Sequence, residues 1–137
     1  TIRSVSERAR EAAGDGVRRV AEGVAAAHGV DAKVHVVRGY PVTVNDNAFA
    51  AFARDVASEV VGADAVVDMR APIMGAEDFS YVLQRVPGAL VFLGARPPEG
   101  SGEPLHSSRM QIDEAAMATG IALHAAVALR WLAQRAV

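Results

Sequence analysis

The chain has 137 residues, of which 51% are hydrophobic, so it is long enough and apolar enough to form the core of one globular domain. Its formal net charge is −2 without clustered lysine or arginine, which excludes the electrostatic footprint of a nucleic-acid-binding protein. The absence of cysteine excludes disulfides and thiolate metal ligands, is compatible with a reducing compartment, and leads us to expect a cytoplasmic protein.

The first forty residues have the pattern of a strand, a helix and a second strand. Residues 1–5 are typical of a short strand, and Ser6 is a candidate N-cap for an amphipathic helix that ends near Gly29. Two glycines inside this helix each cost about 1 kcal/mol relative to alanine, which favours a kink or fraying in its first turns. Residues 31–40 alternate apolar and polar side chains in the manner of a half-buried strand.

A second group of elements follows Pro41, and we place a domain boundary near residues 41–44. The patterns predict five further elements, namely a helix over residues 47–61, a strand over 65–68, a helix over 76–86, a strand over 89–94 and a final buried helix over 113–135. The final helix contains the longest apolar run, but His124 and Arg130 interrupt it, so we expect no membrane span. The alternation of strands and helices predicts an α/β fold.

His106 is the candidate metal ligand in this chain. It follows a predicted strand and a loop rich in proline and glycine, a position at which an α/β hydrolase presents a ligand at a strand end. Position alone favours an exposed loop histidine without a function. The sequence contains no H-x-D, no H-E-x-x-H and no Glu-Glu pair, so recognisable motifs do not assemble a complete zinc site.

Several short motifs occur in order along the chain. They are T-I-R-S at 1–4, Y-P-V-T-V-N-D at 40–46, M-G-A-E-D-F-S at 74–80, P-G-A-L-V-F-L-G at 87–94 and P-L-H-S-S at 104–108. Together they resemble the C-terminal part of the zinc amidohydrolases of peptidase family M20. The similarity is to the branch with hippurate hydrolase, N-acyl amino acid amidohydrolase and indoleacetyl-amino acid hydrolase.

The resemblance implies an α/β fold in two parts. Residues 1–42 would be the second half of a ferredoxin-like strand-helix-strand lid, which also dimerises. Residues 43–137 would be the C-terminal α/β part of a zinc-aminopeptidase-like catalytic domain. The family's other metal ligands and its glutamate base would lie outside the chain. We therefore expect a fragment that is inactive in isolation and that forms a homodimer.

The resemblance also implies roles for individual residues. His106 would bind one of two divalent ions (Zn, Mn or Co) of the full-length parent, with none or an incomplete site in the fragment. Arg3 would clamp a substrate carboxylate, and Gly75 and Glu77 would lie beside the substrate. No catalytic residue is expected in this chain. The expected reaction is hydrolysis of the amide bond of an N-acyl or N-aroyl amino acid or a small peptide, with no membrane or nucleic-acid partner.

Two other functions stay open at this point. Residues 1–40 would form a non-catalytic dimerisation or interaction module if they paired through an exposed sheet edge. A small metal-independent enzyme would instead use His106, Glu77 and Asp78. Structural explanations also compete with the assigned roles, because acids in a first helical turn are favoured by the helix dipole and most arginines are surface charges.

Overall fold

The computed structural model describes residues 1–100 and 102–134, and the regular structure in these residues is helical. The helices are α1 (Glu7–Ala27), α2 (Asn47–Val61), α3 (Phe79–Leu83) and α4 (Ala116–Ala133), with one turn of 3-10 helix at Ala63–Ala65. No β-strand occurs among these described residues.

The predicted α/β fold class is therefore wrong for this chain. Neither the partial ferredoxin-like strand-helix-strand lid nor an α/β part of a zinc-aminopeptidase-like domain forms in the described residues. A strand needs a neighbour that pairs with its main-chain groups, whereas alternation of side chains reports only that one side is covered. The alternation itself is present, because Val34 and Val36 are half-buried whereas His35 and Val37 are exposed.

The chain divides into two compact units, and each unit is discontinuous in sequence. The first unit comprises Thr1–Asp46 and Met69–Ala89, and the second comprises Asn47–Asp68 and Leu90–Val137. The division into residues 1–42 and 43–137 concerns the parent family's domains and stays a prediction.

Helix α1 is the main element of the first unit. Its N-cap is Ser6, whose hydroxyl accepts the N–H of Ala9 at 3.2 Å, as predicted from the sequence. The helix runs without interruption through Gly14 and Gly16, so its first turns are not frayed. At the C-terminus Gly29 adopts a φ of 71°, and the N–H groups of Gly29 and the next residue close a Schellman motif.

The carboxylate of Glu7 connects the start of α1 to a segment that precedes α2. One oxygen accepts the N–H of Val42 at 2.7 Å, and the other accepts an N–H of Arg10 at 3.0 Å. Arg10 in turn donates to the carbonyl of Gly39 at 3.0 Å. The hydrogen bond from Val42, followed by that from Arg10, holds the pKa of Glu7 below its ordinary value of 4.5. We call these contacts the Glu7–Arg10 clamp.

Two hydrogen bonds to main-chain carbonyls fix short helix α3 and the residues that follow it. Ser80, which is fully buried, donates its hydroxyl to the carbonyl of Glu77 at 2.6 Å. The N–H of Asp46 donates to the carbonyl of Gly88 at 2.9 Å, so residues before α2 and after α3 meet in the first unit. These hydrogen bonds pair main-chain groups that are not paired by a β-sheet in the described residues.

An aromatic cluster joins α2 and α4 in the second unit. The ring centroids lie 5.9 Å apart for Phe49–Phe52, 4.9 Å for Phe49–Trp131 and 5.2 Å for Phe52–Trp131. Val56, which is 2% exposed, is the most completely buried apolar residue described. An ion pair between Arg130 and Glu59 at 2.6 Å crosses the same helix pair. Aromatic packing therefore supplies the core of this unit.

Helix α4 is apolar, yet none of its described residues is fully buried, contrary to the expected buried helix. By length and composition alone it is apolar enough to cross a membrane. The core helices of soluble proteins have the same composition, so this finding does not assign a membrane span. A Cβ on Gly120 would lie 3.1 Å from Cδ2 of Leu93, so the Leu93 side chain packs against this helix.

Replacing Gly16 by alanine should stabilise the chain. No atom lies within 4 Å of a Cβ built at this helical position, so alanine gains helix propensity without a clash. We expect the free energy of unfolding to rise by about 1 kcal/mol in urea titrations followed by far-UV circular dichroism. The control Gly29→Ala should lower it, because alanine is strained at a φ of 71°. Shifts of the same sign in both variants would contradict the assigned helix end.

Replacing Glu7 by glutamine should remove part of the acid sensitivity of folding. A carboxyl whose pKa is lowered on folding stabilises the folded state above its ordinary pKa of 4.5, and that contribution is lost as the pH falls through the lowered value. We expect Glu7→Gln to unfold at lower urea concentration than the wild type at neutral pH, and the two midpoints to converge in acid.

The control Glu22→Gln removes a carboxylate of α1 that makes no hydrogen bond or ion pair within the described residues. It should follow the wild-type pH dependence. The effect of Glu7→Gln is expected to be small, since 45% of its side chain is exposed and solvent screens the charge. Parallel curves for the wild type and Glu7→Gln across the acid range would rule out the clamp as a pH-dependent contact.

Candidate functional site

A surface depression of about 540 Å³ lies in the first unit. It is bordered by residues 1–4, by the N-terminal half of α1, by residues 34–42 and by the pair Gly75 and Ala76. The structure thus brings Arg3 and Gly75, two of the residues singled out from the sequence, to one concave surface. Concave surfaces of this size are where proteins bind small molecules.

Arginines dominate the positive charge of the depression, and all but one are neutralised by acidic residues. The three neutralised arginines belong to the ion pairs Arg10–Glu7 at 3.0 Å, Arg18–Asp15 at 3.1 Å and Arg38–Glu11 at 3.6 Å. Arg3 makes no hydrogen bond or ion pair within residues 1–100 and 102–134. Among the described residues, Arg3 is therefore the arginine of the depression whose guanidinium is available to an anion.

One tyrosine of the depression packs against a second tyrosine outside it. The rings of Tyr40 and Tyr81 pack edge to face, with centroids 5.9 Å apart and planes at 90°. Tyr40 lines the depression, and Tyr81 is held on α3. Both residues stay about half exposed, at 48% and 52%. No sequence pattern predicts this pair, because the two tyrosines are distant along the chain.

Gly75 and Glu77 differ in their surroundings. A Cβ on Gly75 would meet only the Ile73 side chain, at 3.8 Å, so the position does not require glycine for space. Glu77 is exposed and is not among the residues lining the depression. Its carbonyl accepts from the N–H and the hydroxyl of Ser80, at 3.2 and 2.6 Å. Asp78 precedes α3 without a capping hydrogen bond from its side chain.

His106 lies in the second unit, on an exposed turn. The N–H of Ser107 donates to the carbonyl of Pro104 at 3.1 Å, which makes His106 the third residue of a β-turn. Its φ of 69° lies in the left-handed region, as a type II turn requires at that position, and among the described residues no other non-glycine has a positive φ. The loop is tied at its base by the N–H of Asp113, which donates to the carbonyl of Ala95 at 2.9 Å.

His106 has a backbone conformation that is uncommon for a residue other than glycine. Glycine is the usual residue at a positive φ, and asparagine, aspartate and histidine are the other residues found there most often, at a cost of about 1 kcal/mol. The sequence does not predict this conformation, since P-L-H-S contains no glycine. The turn holds the ring away from the core, where it is exposed to a ligand.

The described residues do not fit a complete metal site. No group of three or more histidine, aspartate or glutamate side chains that could hold an ion occurs within residues 1–100 and 102–134. A zinc site takes three or four protein ligands, so His106 by itself provides one ligand at most.

Comparison with known proteins supports the resemblance seen in the motifs. Residues 4–130 match Peptidase family M20/M25/M40. The chain is 34% identical over 133 residues to Thermostable carboxypeptidase 2 of Saccharolobus solfataricus, covering 96% of this chain and 33% of that protein. It is 38% identical over 97 residues to IAA-amino acid hydrolase ILR1-like 4 of Arabidopsis thaliana, covering 68% of this chain and 21% of that protein.

A deacetylase is also related. N-acetyldiaminopimelate deacetylase of Leuconostoc citreum is 30% identical over 125 residues, covering 88% of this chain and 30% of that protein. The chain thus spans about a third or less of the length of these relatives. No solved structure gives a significant match. The family match covers nearly the whole sequence, and the resemblance inferred from the motifs is confirmed. The chain belongs to Peptidase family M20/M25/M40.

Proposed function

We propose that this chain is part of a metal-dependent amidohydrolase that cleaves the amide bond of N-acyl or N-aroyl amino acids. Family membership supports hydrolysis, and the names of two relatives, an IAA-amino acid hydrolase and an N-acetyldiaminopimelate deacetylase, point to amide bonds of substituted amino acids. The observation that carries the proposal is the unpaired guanidinium of Arg3 in the depression, because an N-acyl amino acid presents a free carboxylate.

Arg3 is proposed to bind that carboxylate. A guanidinium forms two parallel N–H···O bonds with a carboxylate, and the other arginines of the depression already have acidic partners. Gly75 lines the same depression and Glu77 follows it by two residues, so we propose that both lie near the bound substrate. None of these residues is assigned a proton transfer.

His106 is proposed to be one metal ligand of a site for two divalent ions, zinc, manganese or cobalt. Its exposed ring and its positive φ support the assignment. Because the described residues provide no group of three ligands, the remaining ligands would come from elsewhere in a longer protein. Neither ion is expected to bind tightly to the 137 residues alone.

We also propose that the protein is a homodimer and that it lies in the cytoplasm. Val20 and Val24 form an exposed apolar patch on one face of α1, with exposures of 60% and 55%, which a second copy can cover. The lack of cysteine is compatible with a reducing compartment. The alternative of a non-catalytic interaction module relied on a sheet edge, and the described residues form no sheet.

Substitution of Arg3 should weaken substrate binding through the carboxylate. In the full-length protein we expect Arg3→Gln to raise KM for N-acyl amino acids about tenfold to a hundredfold, the cost of a lost charged hydrogen bond. The corresponding amino acid amides lack the carboxylate and should show no such loss. Arg8→Gln removes an exposed arginine of α1 that does not line the depression, and it serves as the matched control. Equal loss for acids and amides would contradict the clamp.

Substitution of His106 should remove metal and activity without unfolding the protein. We expect His106→Gly in the full-length protein to lower the bound metal by about one ion per chain and to abolish hydrolysis. Its melting temperature in the metal-free state should stay close to that of the wild type, because glycine accepts the positive φ of this turn.

The control His124→Gln removes an exposed histidine of α4 and should keep both metal and activity. The 137-residue chain itself should show no turnover of acyl amino acids with added zinc. Retained metal and activity in His106→Gly would refute the ligand assignment, and zinc-dependent turnover by the short chain would refute the proposed need for further ligands.

A further inference from the structure

Ser107 joins two consecutive turns in the loop that carries His106. Its N–H donates to the carbonyl of Pro104 at 3.1 Å, and its carbonyl accepts the N–H of Met110 at 3.1 Å. Its hydroxyl accepts the N–H of Arg109 at 3.2 Å. The main chain and the side chain of Ser107 therefore both hold the end of the turn in which His106 is the third residue.

The other contacts of this loop constrain the turn less directly. An ion pair between Arg109 and Glu103, at 3.2 Å, spans the turn, but 78% of the Arg109 side chain is exposed, and exposed ion pairs contribute little. The hydrogen bond from Asp113 to Ala95 lies at the base of the loop. Ser107 is half-buried, whereas the residues on either side of it are exposed. Its hydroxyl is thus placed to fix the turn from within the loop.

A turn of this kind has two related forms. In a type II turn the third residue has a positive φ, as His106 has, whereas in the commoner type I turn the φ of that residue is negative. A residue with a Cβ is disfavoured at a positive φ, so the type II form needs support from its surroundings. A flip of the Leu105–His106 peptide group converts one form into the other and tilts the Cα–Cβ bond that carries the imidazole.

We propose that Ser107 is a positioning residue for His106, and that its hydroxyl keeps the turn in the left-handed form that presents the imidazole. This inference rests on the proposed function, in which His106 binds a divalent ion, and adds a residue that acts through His106. One hydrogen bond contributes about as much free energy as the left-handed conformation costs, so loss of the hydroxyl is enough to change the population of the turn.

The 137-residue chain allows a test that needs no metal. In a type II turn the Hα of Leu105 lies close to the N–H of His106, whereas in a type I turn the N–H groups of these two residues lie close together. Nuclear Overhauser effects therefore report the ratio of the two forms. We expect the wild type to show the type II pattern, and Ser107→Ala to lower the ratio of type II to type I about fivefold.

A matched pair of variants separates the hydroxyl from the shape of the side chain. Ser107→Thr keeps the hydroxyl and should retain the type II pattern, whereas Ser107→Val has the same shape without the hydroxyl and should behave like Ser107→Ala. The control Ser108→Ala changes an exposed serine that makes no hydrogen bond within the described residues, and it should match the wild type. An unchanged type II pattern in Ser107→Val would overturn the proposal, whether or not Ser107→Ala folds.

Zinc affinity of the full-length protein tests the consequence for His106. The dissociation constant should rise in Ser107→Val, relative to Ser107→Thr, by the factor by which the type II population falls, because only that form is competent to bind. Competition with a chromophoric chelator measures this ratio. The urea midpoints of the two metal-free variants should stay close. Equal zinc affinity, despite a changed turn, would refute the positioning role.

The proposed function fails by a different result. A full metal content in His106→Gly would remove the ligand assignment, and the comparison of Ser107→Thr with Ser107→Val by NMR would still show whether Ser107 holds the turn. Loss of metal in His106→Gly together with equal zinc affinity in the two Ser107 variants would leave the proposed function and remove the role of Ser107.

Discussion

The candidate site depends on the hydrogen bonds that join Glu7 and Arg10 of α1 to residues 39–42. The carboxylate of Glu7 accepts the N–H of Val42 and one N–H of Arg10, and Arg10 reaches the carbonyl of Gly39. Two side chains from the first turn of α1 thereby hold both ends of the segment that carries Tyr40. The Arg38–Glu11 ion pair adds a further contact between this segment and α1, and both contacts lie at the border of the depression.

Main-chain N–H and C=O groups outside the helices must also be paired or hydrated. In the described residues, those that are paired outside the helices form separate hydrogen bonds and not the ladder of a sheet. The N–H of Asp113 donates to the carbonyl of Ala95 at the base of the loop that carries His106, and the N–H of Asp46 donates to the carbonyl of Gly88. Single bonds of this kind fix positions locally but add less cooperativity than a sheet.

Local signals explain what the sequence predicts well. The cap at Ser6, the stop at Gly29 and the bounds of α2 follow from neighbouring residues, and the structure reproduces them. The helix predicted over residues 76–86 is shorter in the structure, where it begins at Phe79 and ends at Leu83. The strands fail because pairing is a property of two distant segments and not of one alternating pattern.

The candidate site also contains some residues that local motifs predict and others that only the fold brings together. Arg3 and Gly75 were selected by motif, and the fold brings both to the depression, whereas the tyrosine pair and the left-handed turn at His106 have no signature in a single sequence. A contact between residues far apart in the chain depends on the whole fold. A positive φ at a histidine depends on the turn around it, and the usual indicator, glycine, is missing from P-L-H-S.

Charge and ring contact contribute to the proposed site in different ways. Arg3 is exposed, so water and salt screen its attraction for a carboxylate. Covering an aromatic face removes apolar area from water, and salt does not screen that gain. The acids of α1 neutralise the neighbouring arginines, which leaves Arg3 as the unpaired arginine of the depression among the described residues. The depression therefore combines the charge of Arg3, which salt screens, with the half-exposed ring of Tyr40, whose apolar surface salt does not affect.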